Sequence, residues 1–559
     1  MRIIRKLWKV LNGRERRRLV SLLLLDNGIG VVDIASLAGL LFIINFYAAP
    51  EKIQRLPSLP HWLLDRDSLM LISCFLILFL VKSMMGFFIL RARYRFIFGV
   101  ASRLSETNVL RYLEGSYMDY VGTDSAVHIR KISQEPVEFC TYVLAGAQQI
   151  ASESILIIFS IAAIIWFDAR LFLLLFLLLL PAVFLLSRVT RRQLRSVRSS
   201  IMTSGEKALQ HLQETLAGFI ESNIYDKNSF FTSRYVRYQR DLNSYLSDLQ
   251  ITQGVPSRLI EVFAVLGLFI LIAMNRFMPG SFTSGTFVTL GAFMAAAYKI
   301  IPGIVKIANI TGQMRTYEFT MDDLSAREPS LETITSHPGA PHPAEPIHSL
   351  RCKDITFGYD KTRLLRGVDF YLEAGDFLGI RGASGKGKTT LLHILLGFLT
   401  QEGGEVLFNE KASDSEGRKR YWKHIAYVKQ QPFLLHDSIL ANITMNGEHY
   451  DAERLQRALT ISGLDEMIAK SKDGIRNKIV ENGKNISGGQ RKRIAMARAL
   501  YKKADLLILD EPFSELDQRS QQRLLDHFQQ LSREGMRIIL ISHNQDSLTR
   551  CNKIIALDE

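Results

Sequence analysis

The sequence predicts an α-helical transmembrane domain of six spans, exporter-like in layout, followed by an α/β P-loop nucleotide-binding domain. Three observations carry this. Long apolar runs crowd the chain before about residue 320 and give way to mixed α/β patterning after about residue 348. The stretch Gly382-Ala383-Ser384-Gly385-Lys386-Gly387-Lys388-Thr389-Thr390 fits G-x-x-x-x-G-K-[ST] between the apolar run 377–380 and a helical pattern opening at Leu391. Between the halves, Pro338, Pro341, Pro343 and Pro346 cannot continue a helix, so they mark a linker. A chain of 559 residues exceeds one hydrophobic core. The expected division is a transmembrane domain at 1–320, a linker at 321–347 and the nucleotide-binding domain at 348–559.

The net charge of +14 raises the question of nucleic acid. Much of the basic excess lies beside apolar segments, as the positive-inside rule expects, so the partner is a lipid bilayer and not nucleic acid. Cys74, Cys140, Cys352 and Cys551 have neither disulfide-scaffold nor zinc spacing. No small-residue cleavage site follows the first apolar run, so the expectation is a retained helix and not a removed signal peptide.

Residues 1–18 interleave Arg2, Arg5, Lys6, Lys9, Arg14, Arg16, Arg17 and Arg18 with Ile3, Ile4, Leu7, Trp8, Val10 and Leu11, the pattern of an amphipathic helix on a membrane surface. Six apolar stretches of spanning length follow, at 19–48, 68–90, 139–167, 171–189, 259–273 extended on both sides, and 285–305. Asp168, Ala169 and Arg170 alone turn the chain between the third and fourth, which predicts a tight external hairpin. The polar, helix-patterned stretches after the second and fourth spans read as cytoplasmic extensions of those helices. Arg91, Arg93 and Arg95, then Arg188, Arg191, Arg192, Arg195 and Arg198, put both termini inside. The external loop at 51–67 holds an apolar run with Trp62, either a membrane-surface contact or an ordinary connection.

Ionisable groups within spans are costly and face partners or water. Lys82 and Lys299 each lie roughly 21 Å below the outer end of a descending span at 1.5 Å per residue, and Arg258 falls at a similar level. Either the three cations form a pocket for an anionic group, or they pair with Asp33, Glu153 or Glu261, or these helices run into water at that level.

In the second half, backbone N–H groups of the glycine-rich loop close around phosphates, Lys388 reaches the β/γ oxygens of ATP, and the Thr389 hydroxyl suits Mg²⁺. Tyr359 either stacks on adenine or is a surface residue. Gln430 follows the strand at 427–428 and is placed to reach Mg²⁺ and the attacking water. Ser487-Gly488-Gly489-Gln490 heads a basic helix whose exposed N–H groups suit a γ-phosphate. The buried run 506–509 ends at Asp510, which suits Mg²⁺, and Glu511, which suits the hydrolytic water. The run 538–541 ends at Ser542 and His543, and a His at the carboxyl end of a parallel strand lies in the ligand crevice.

Taken in order, Tyr359, the phosphate loop, Gln430, Ile486-Ser487-Gly488-Gly489-Gln490, the strand ending at Asp510-Glu511, Ser514-Glu515-Leu516-Asp517 and His543 resemble the nucleotide-binding domain of an ATP-binding cassette transporter. With six preceding spans the whole chain resembles an exporter half-transporter. That resemblance implies a homodimer in which two ATPs lie between one chain's phosphate loop and the other's Ser487-Gly488-Gly489-Gln490. The chain departs from the pattern at Lys429, Ile486, Glu515 and the stretch 480–483, with no catalytic group removed. Val255-Pro256-Ser257-Arg258-Leu259-Ile260-Glu261, Ala297-Tyr298-Lys299-Ile300-Ile301-Pro302 and the short external segment are locally similar to bacterial lipid-linked oligosaccharide flippases, which implies a polyprenyl-pyrophosphate-type amphiphile and an inner (plasma) membrane location. Peptides, drugs and other lipids are the alternative cargoes. An ATP-gated channel or regulatory subunit is the alternative of another class, disfavoured because Glu511 and His543 are intact.

Overall fold

The computed structural model describes residues 2–48, 70–167, 200–277, 286–325, 345–359, 362–447, 449–480 and 483–557. It divides into two compact units, Met1–Gly115 with Asp119–Ser330, and Ser116–Met118 with Leu331–Glu559. The break between Ser330 and Leu331 falls inside the stretch expected to be the linker.

In the first unit, helix α1 (Arg2–Val10) buries Leu7 and Val10 and exposes Ile4 and Trp8. It stops sooner than its charge pattern suggests. The Asn12 N–H donates to Glu15 Oε2 at 2.9 Å and a second helix, α2 (Gly13–Ala48), begins there. The expectation of one amphipathic helix over 1–18 is thereby corrected, since Arg14, Arg16, Arg17 and Arg18 open α2. The physical reason is the Asn12-Gly13 pair, a poor helix continuation whose freed N–H the Glu15 carboxylate satisfies. Arg103 of α3 (Met70–Glu114) locks the corner, with Nε 2.7 Å from Glu15 Oε1, Nη2 2.9 Å from Glu15 Oε2 and Nη2 3.0 Å from the Val10 carbonyl oxygen.

Helices α4 (Ala145–Phe167), α5 (Asn228–Phe277), α6 (Thr286–Thr316) and α7 (Phe319–Ser325) complete the set used below. At 45 and 50 residues, α3 and α5 far exceed the ~20 residues that cross hydrocarbon, so each carries a long polar helical extension, while the stretch after α3 breaks at 115–116 and 123–124 and the stretch before α5 breaks at Gly218 and 225–227. Among the described residues, Met70–Glu114 and Ser125–Ala162 are long and apolar enough to cross a membrane. The expected spans at 19–48, 259–273 and 285–305 fall on α2, α5 and α6 apart from residue 285, whereas 51–67, the hairpin 168–170 and the span 171–189 lie outside the described residues. Six spans are thus more than these helices meet by length and composition. The run into α4 contains two wide π-type turns, Arg130–Gln134 and Phe139–Leu144, on either side of Pro136, which has no N–H to donate. Phe139, Cys140, Val143 and Leu144 pack with Leu7, Leu11, Phe96, Ile97, Val100, Ile310, Met314 and Met321. Small residues let α4 and α6 approach, since a Cβ on Gly146 would lie 2.9 Å from Ile310 Cγ2.

The second unit contains two sheets. β1 (Leu350–Tyr359), β2 (Thr362–Leu372), β4 (Gly403–Phe408) and β5 (Lys411–Ala412) form an antiparallel sheet in the order β2-β1-β4-β5. β3 (Phe377–Arg381), β6 (Ile425–Val428), β7 (Leu506–Asp510), β8 (Arg537–Ile541) and β9 (Lys553–Ala556) form a parallel one in the order β6-β7-β8-β3-β9. β7 and β8 are buried at every residue, the continuous apolar pattern of a sheet covered on both faces. Successive side chains alternate between two cores. Ile508, Ile539 and Ile541 pack with Leu391 and Leu395 of α8 (Lys388–Leu395). Leu507, Leu509, Ile538 and Leu540 pack with Ala495, Met496 and Ala499 of α9 (Gly488–Tyr501) and Leu524, Leu525 and Phe528 of α10 (Gln518–Arg533). Each fully buried Leu or Ile contributes about 1.5–3 kcal/mol.

Candidate nucleotide site

Because the strands of the second sheet run parallel, their carboxyl ends share one edge, where α/β folds hold ligands. Four chain segments leave from that edge. β3 runs into the glycine-rich loop, β6 into Lys429-Gln430, β7 ends at Asp510 before Glu511, and β8 leads to Ser542-His543.

Gly382, Ala383, Ser384, Gly385, Lys386 and Gly387 connect β3 to α8, whose first turn carries Lys388, Thr389 and Thr390. Gly385 and Gly387 have φ of 82° and 86°, the left-handed region that suits glycine. At 387 space adds to the constraint, as a Cβ would lie 2.8 Å from Leu365 Cδ2. The buried Lys388 ammonium curls back over the loop, donating to the Gly382 carbonyl oxygen at 2.7 Å and that of Ala383 at 2.8 Å. A cation thus sits within a ring of backbone, ready for an anion.

Glu511 is the hub of the opposite wall. Its φ is 47° and its N–H donates to the Ile541 carbonyl oxygen at 3.0 Å, tying the end of β7 to the end of β8. Gln430 Nε2 donates to Oε2 at 2.7 Å, and His543 Nε2 lies 2.8 Å from Oε1. Since a carboxylate only accepts, His543 donates through Nε2. Asp510 beside it is buried and accepts from the Tyr427 hydroxyl at 3.4 Å. Burial first, and the Glu511 charge second, push the Asp510 carboxyl above its ordinary range against the pull of Tyr427, Lys492 and Lys388. Lys492 of α9 donates to the backbone carbonyls of Gln430 and of Glu511, the latter at 3.0 Å.

The structure therefore brings Gln430, Glu511 and His543 into direct contact. Ser487 caps α9, its Oγ accepting from the Gln490 N–H at 3.3 Å while Gln490 Oε1 accepts from the Ser487 N–H at 2.9 Å. Glu515, with φ of 73°, lays its carboxylate over Gly488, where a Cβ would come within 1.3 Å of Oε2. Tyr359 ends β1 half-exposed, edge-on to Phe357 with centroids 5.0 Å apart. Lys82 pairs with Asp33 and lies 4.4 Å from the centre of the Phe79 ring, while Glu153 pairs with Lys306. The side chains of Arg258, Glu261 and Lys299 lie outside the described residues. The sequence reading missed Tyr427 and Lys492. A signal for Lys492 existed, a lysine in the i, i+3, i+4, i+7 stripe with Ala495, Met496 and Ala499.

Residues 365–514 match the family described as ABC transporter. The chain is 28% identical over 392 residues to the ATP-dependent lipid A-core flippase of Ralstonia nicotianae, covering 68% of this chain and 64% of that protein, so the match spans just under two thirds of that relative. It is 26% identical over 504 residues to the protein of the same name from Bordetella pertussis, covering 86% and 78%. The solved structure of a bacterial Atm1-family ABC exporter with ATP bound superposes with a TM-score of 0.77 over 97% of this chain and 94% of that one, at 19% identity, a likeness of fold.

Proposed function

We propose that this chain is an ABC transporter coupling ATP hydrolysis to transport, and that its cargo is a lipid-linked oligosaccharide or similar phosphate-bearing amphiphile. The observation that carries the ATPase half is Glu511, held by Gln430 and His543 at the sheet edge where Lys388 and Asp510 converge. In this reading Lys388 gives up its two loop carbonyls for the β/γ oxygens, and the loop N–H groups from Gly382 to Thr390 cradle the phosphates. Glu511 takes the proton of the attacking water, and His543 and Gln430 fix that carboxylate. Tyr359 offers an open ring to adenine. The Thr389 hydroxyl, Gln430 and Asp510 supply the hard oxygens that Mg²⁺ takes, and Asp510, whose proton affinity burial has raised, fits a cation. Mg²⁺, when bound, neutralises the β/γ oxygens.

Two chains complete two sites in this reading, since Ser487 at the start of α9 is exposed and, among the described residues, its N–H and side chain are hydrogen-bonded only to Gln490, which leaves that helix start for the ATP held by a second chain's phosphate loop. The membrane half is multi-pass, with six spans and both termini on the cytoplasmic side of the inner membrane. The cargo reading is supported by the lipid named for the relatives and by a lysine within an apolar helix, Lys82, whose partner Asp33 balances it in the absence of a headgroup. Lys82, Arg258 and Lys299 then hold the phosphates. The test is reconstitution into proteoliposomes with lipid-linked oligosaccharide. K82Q, R258Q and K299Q should each lower lipid movement and cargo-stimulated hydrolysis while basal hydrolysis and yield hold. Loss of folded yield without a selective transport defect decides against the pocket, and stimulation by peptides or drugs instead of lipid-linked sugars decides against the cargo.

A further inference from the structure

α9 presents an apolar stripe to the sheet, with Ala495, Met496 and Ala499 packed among Leu507, Leu509 and Phe528. Lys492 stands one turn earlier on the same stripe and is only 1% exposed. An ammonium there loses its hydration, and burial accordingly pulls its pKa down, against the opposing pull of Glu515, Asp510 and Glu511. An apolar residue would continue the stripe without that cost. What the lysine provides is reach. Its Nζ donates to the carbonyl oxygen of Gln430 beyond β6 and, at 3.0 Å, to that of Glu511 beyond β7. The side chains of these two residues are bonded to each other, Gln430 Nε2 to Glu511 Oε2 at 2.7 Å. A closed ring results, running from the ammonium through the Gln430 backbone and side chain to the Glu511 side chain and backbone. It also fixes Glu511 where its left-handed φ of 47° is unfavourable for a residue with a Cβ.

We propose that Lys492 is a positioning residue for ATP hydrolysis, its ammonium clamping the Gln430 and Glu511 backbones so that the Glu511 carboxylate stays aimed between Gln430 and His543. The inference rests on Glu511 acting as the base. Opening the clamp leaves the phosphate loop and its Lys388 untouched, so turnover falls and nucleotide binding does not.

The test measures steady-state hydrolysis and ATP binding by the full-length protein, comparing wild type, K492M, K492Q, E511Q and K492M/E511Q. K492M should lower kcat about tenfold or more with KM and ATP affinity within about twofold, and K492Q, which still donates to carbonyls, should recover part of that loss. In the E511Q background K492M should have no further effect, because the two changes remove one function. If K492M lowers residual hydrolysis in E511Q by the same factor as in wild type, or weakens ATP binding and the thermal midpoint together with kcat, Lys492 is structural and the proposal fails. Failure of the base reading is seen separately, as near wild-type turnover in E511Q alone.

Discussion

Replacing Glu511 by Gln keeps the volume of the side chain and removes its charge, and the structure sets what each change costs. Both carboxylate oxygens are in use, one 2.7 Å from Gln430 Nε2 and the other 2.8 Å from His543 Nε2. An amide has one carbonyl oxygen, so one donor keeps its acceptor and the other must turn or lose it, at a cost of about 0.5–1.5 kcal/mol. Loss of a general base costs roughly 10²- to 10⁴-fold in turnover. At 1.36 kcal/mol per decade that is about 2.7–5.4 kcal/mol of barrier, so the chemical effect outweighs the structural one. Nucleotide binding should survive, because Glu511 is among the causes that push the Asp510 carboxyl up and its removal leaves Asp510 a better anion. The assay pairs phosphate release with binding of a fluorescent ATP analogue to the same detergent-purified protein. E511Q with turnover within about threefold of wild type would falsify the assignment, as would loss of analogue binding in step with hydrolysis.

Three further outcomes follow from the same geometry. Asp510 carries a raised pKa, so the native state holds its proton to higher pH than the unfolded chain, and its contribution to stability declines as pH rises above the unfolded value near 3.8. D510N should therefore raise the thermal midpoint of the Mg²⁺- and nucleotide-free protein at pH 8, lose that gain toward pH 4, and abolish Mg²⁺-dependent hydrolysis; an unchanged or lower midpoint at pH 8 contradicts this. G387A places a Cβ at φ of 86° and 2.8 Å from Leu365, a strain of about 1–3 kcal/mol, and is expected to lower the thermal midpoint and weaken ATP binding together. Mixing K388A chains with S487R chains should give heterodimers with at most one intact site, and full-rate hydrolysis by a monomer would overturn the two-chain reading.

The sequence made some of this legible because a few patterns have single physical meanings. The glycine-rich loop requires positive φ at Gly385 and Gly387, and the apolar runs of β3, β7 and β8 require a sheet covered on both faces. The same pattern puts His543, just after the last of these runs, in the ligand crevice at the carboxyl end of a parallel strand. The antiparallel sheet was not legible in this way, because β1 and β2 alternate irregularly and their register shifts at Cys352, Ile355 and Phe357. The corner after α1 was hidden by its charge pattern, since basic residues on both sides of Asn12 read as one helix and the Glu15–Arg103 bond that holds the corner joins residues far apart in the chain. Lys492 escaped notice because a lysine in a basic helix looks solvated. Only the sheet order shows that its stripe faces inward, beneath two strand ends.

The order β6-β7-β8-β3-β9 has a consequence for how the protein is made. The strand that launches the phosphate loop, β3, has both of its hydrogen-bonding neighbours far downstream, at Arg537–Ile541 and Lys553–Ala556. While the ribosome is still adding residues 382–536, β3 has no partner and its apolar residues Phe377, Leu378 and Ile380 have no finished sheet to enter. A nascent chain stalled anywhere between residues 390 and 536 therefore carries a complete phosphate-loop sequence and no finished sheet beside it. The site cannot be complete before β8 pairs with both β7 and β3 and β9 pairs with the other side of β3.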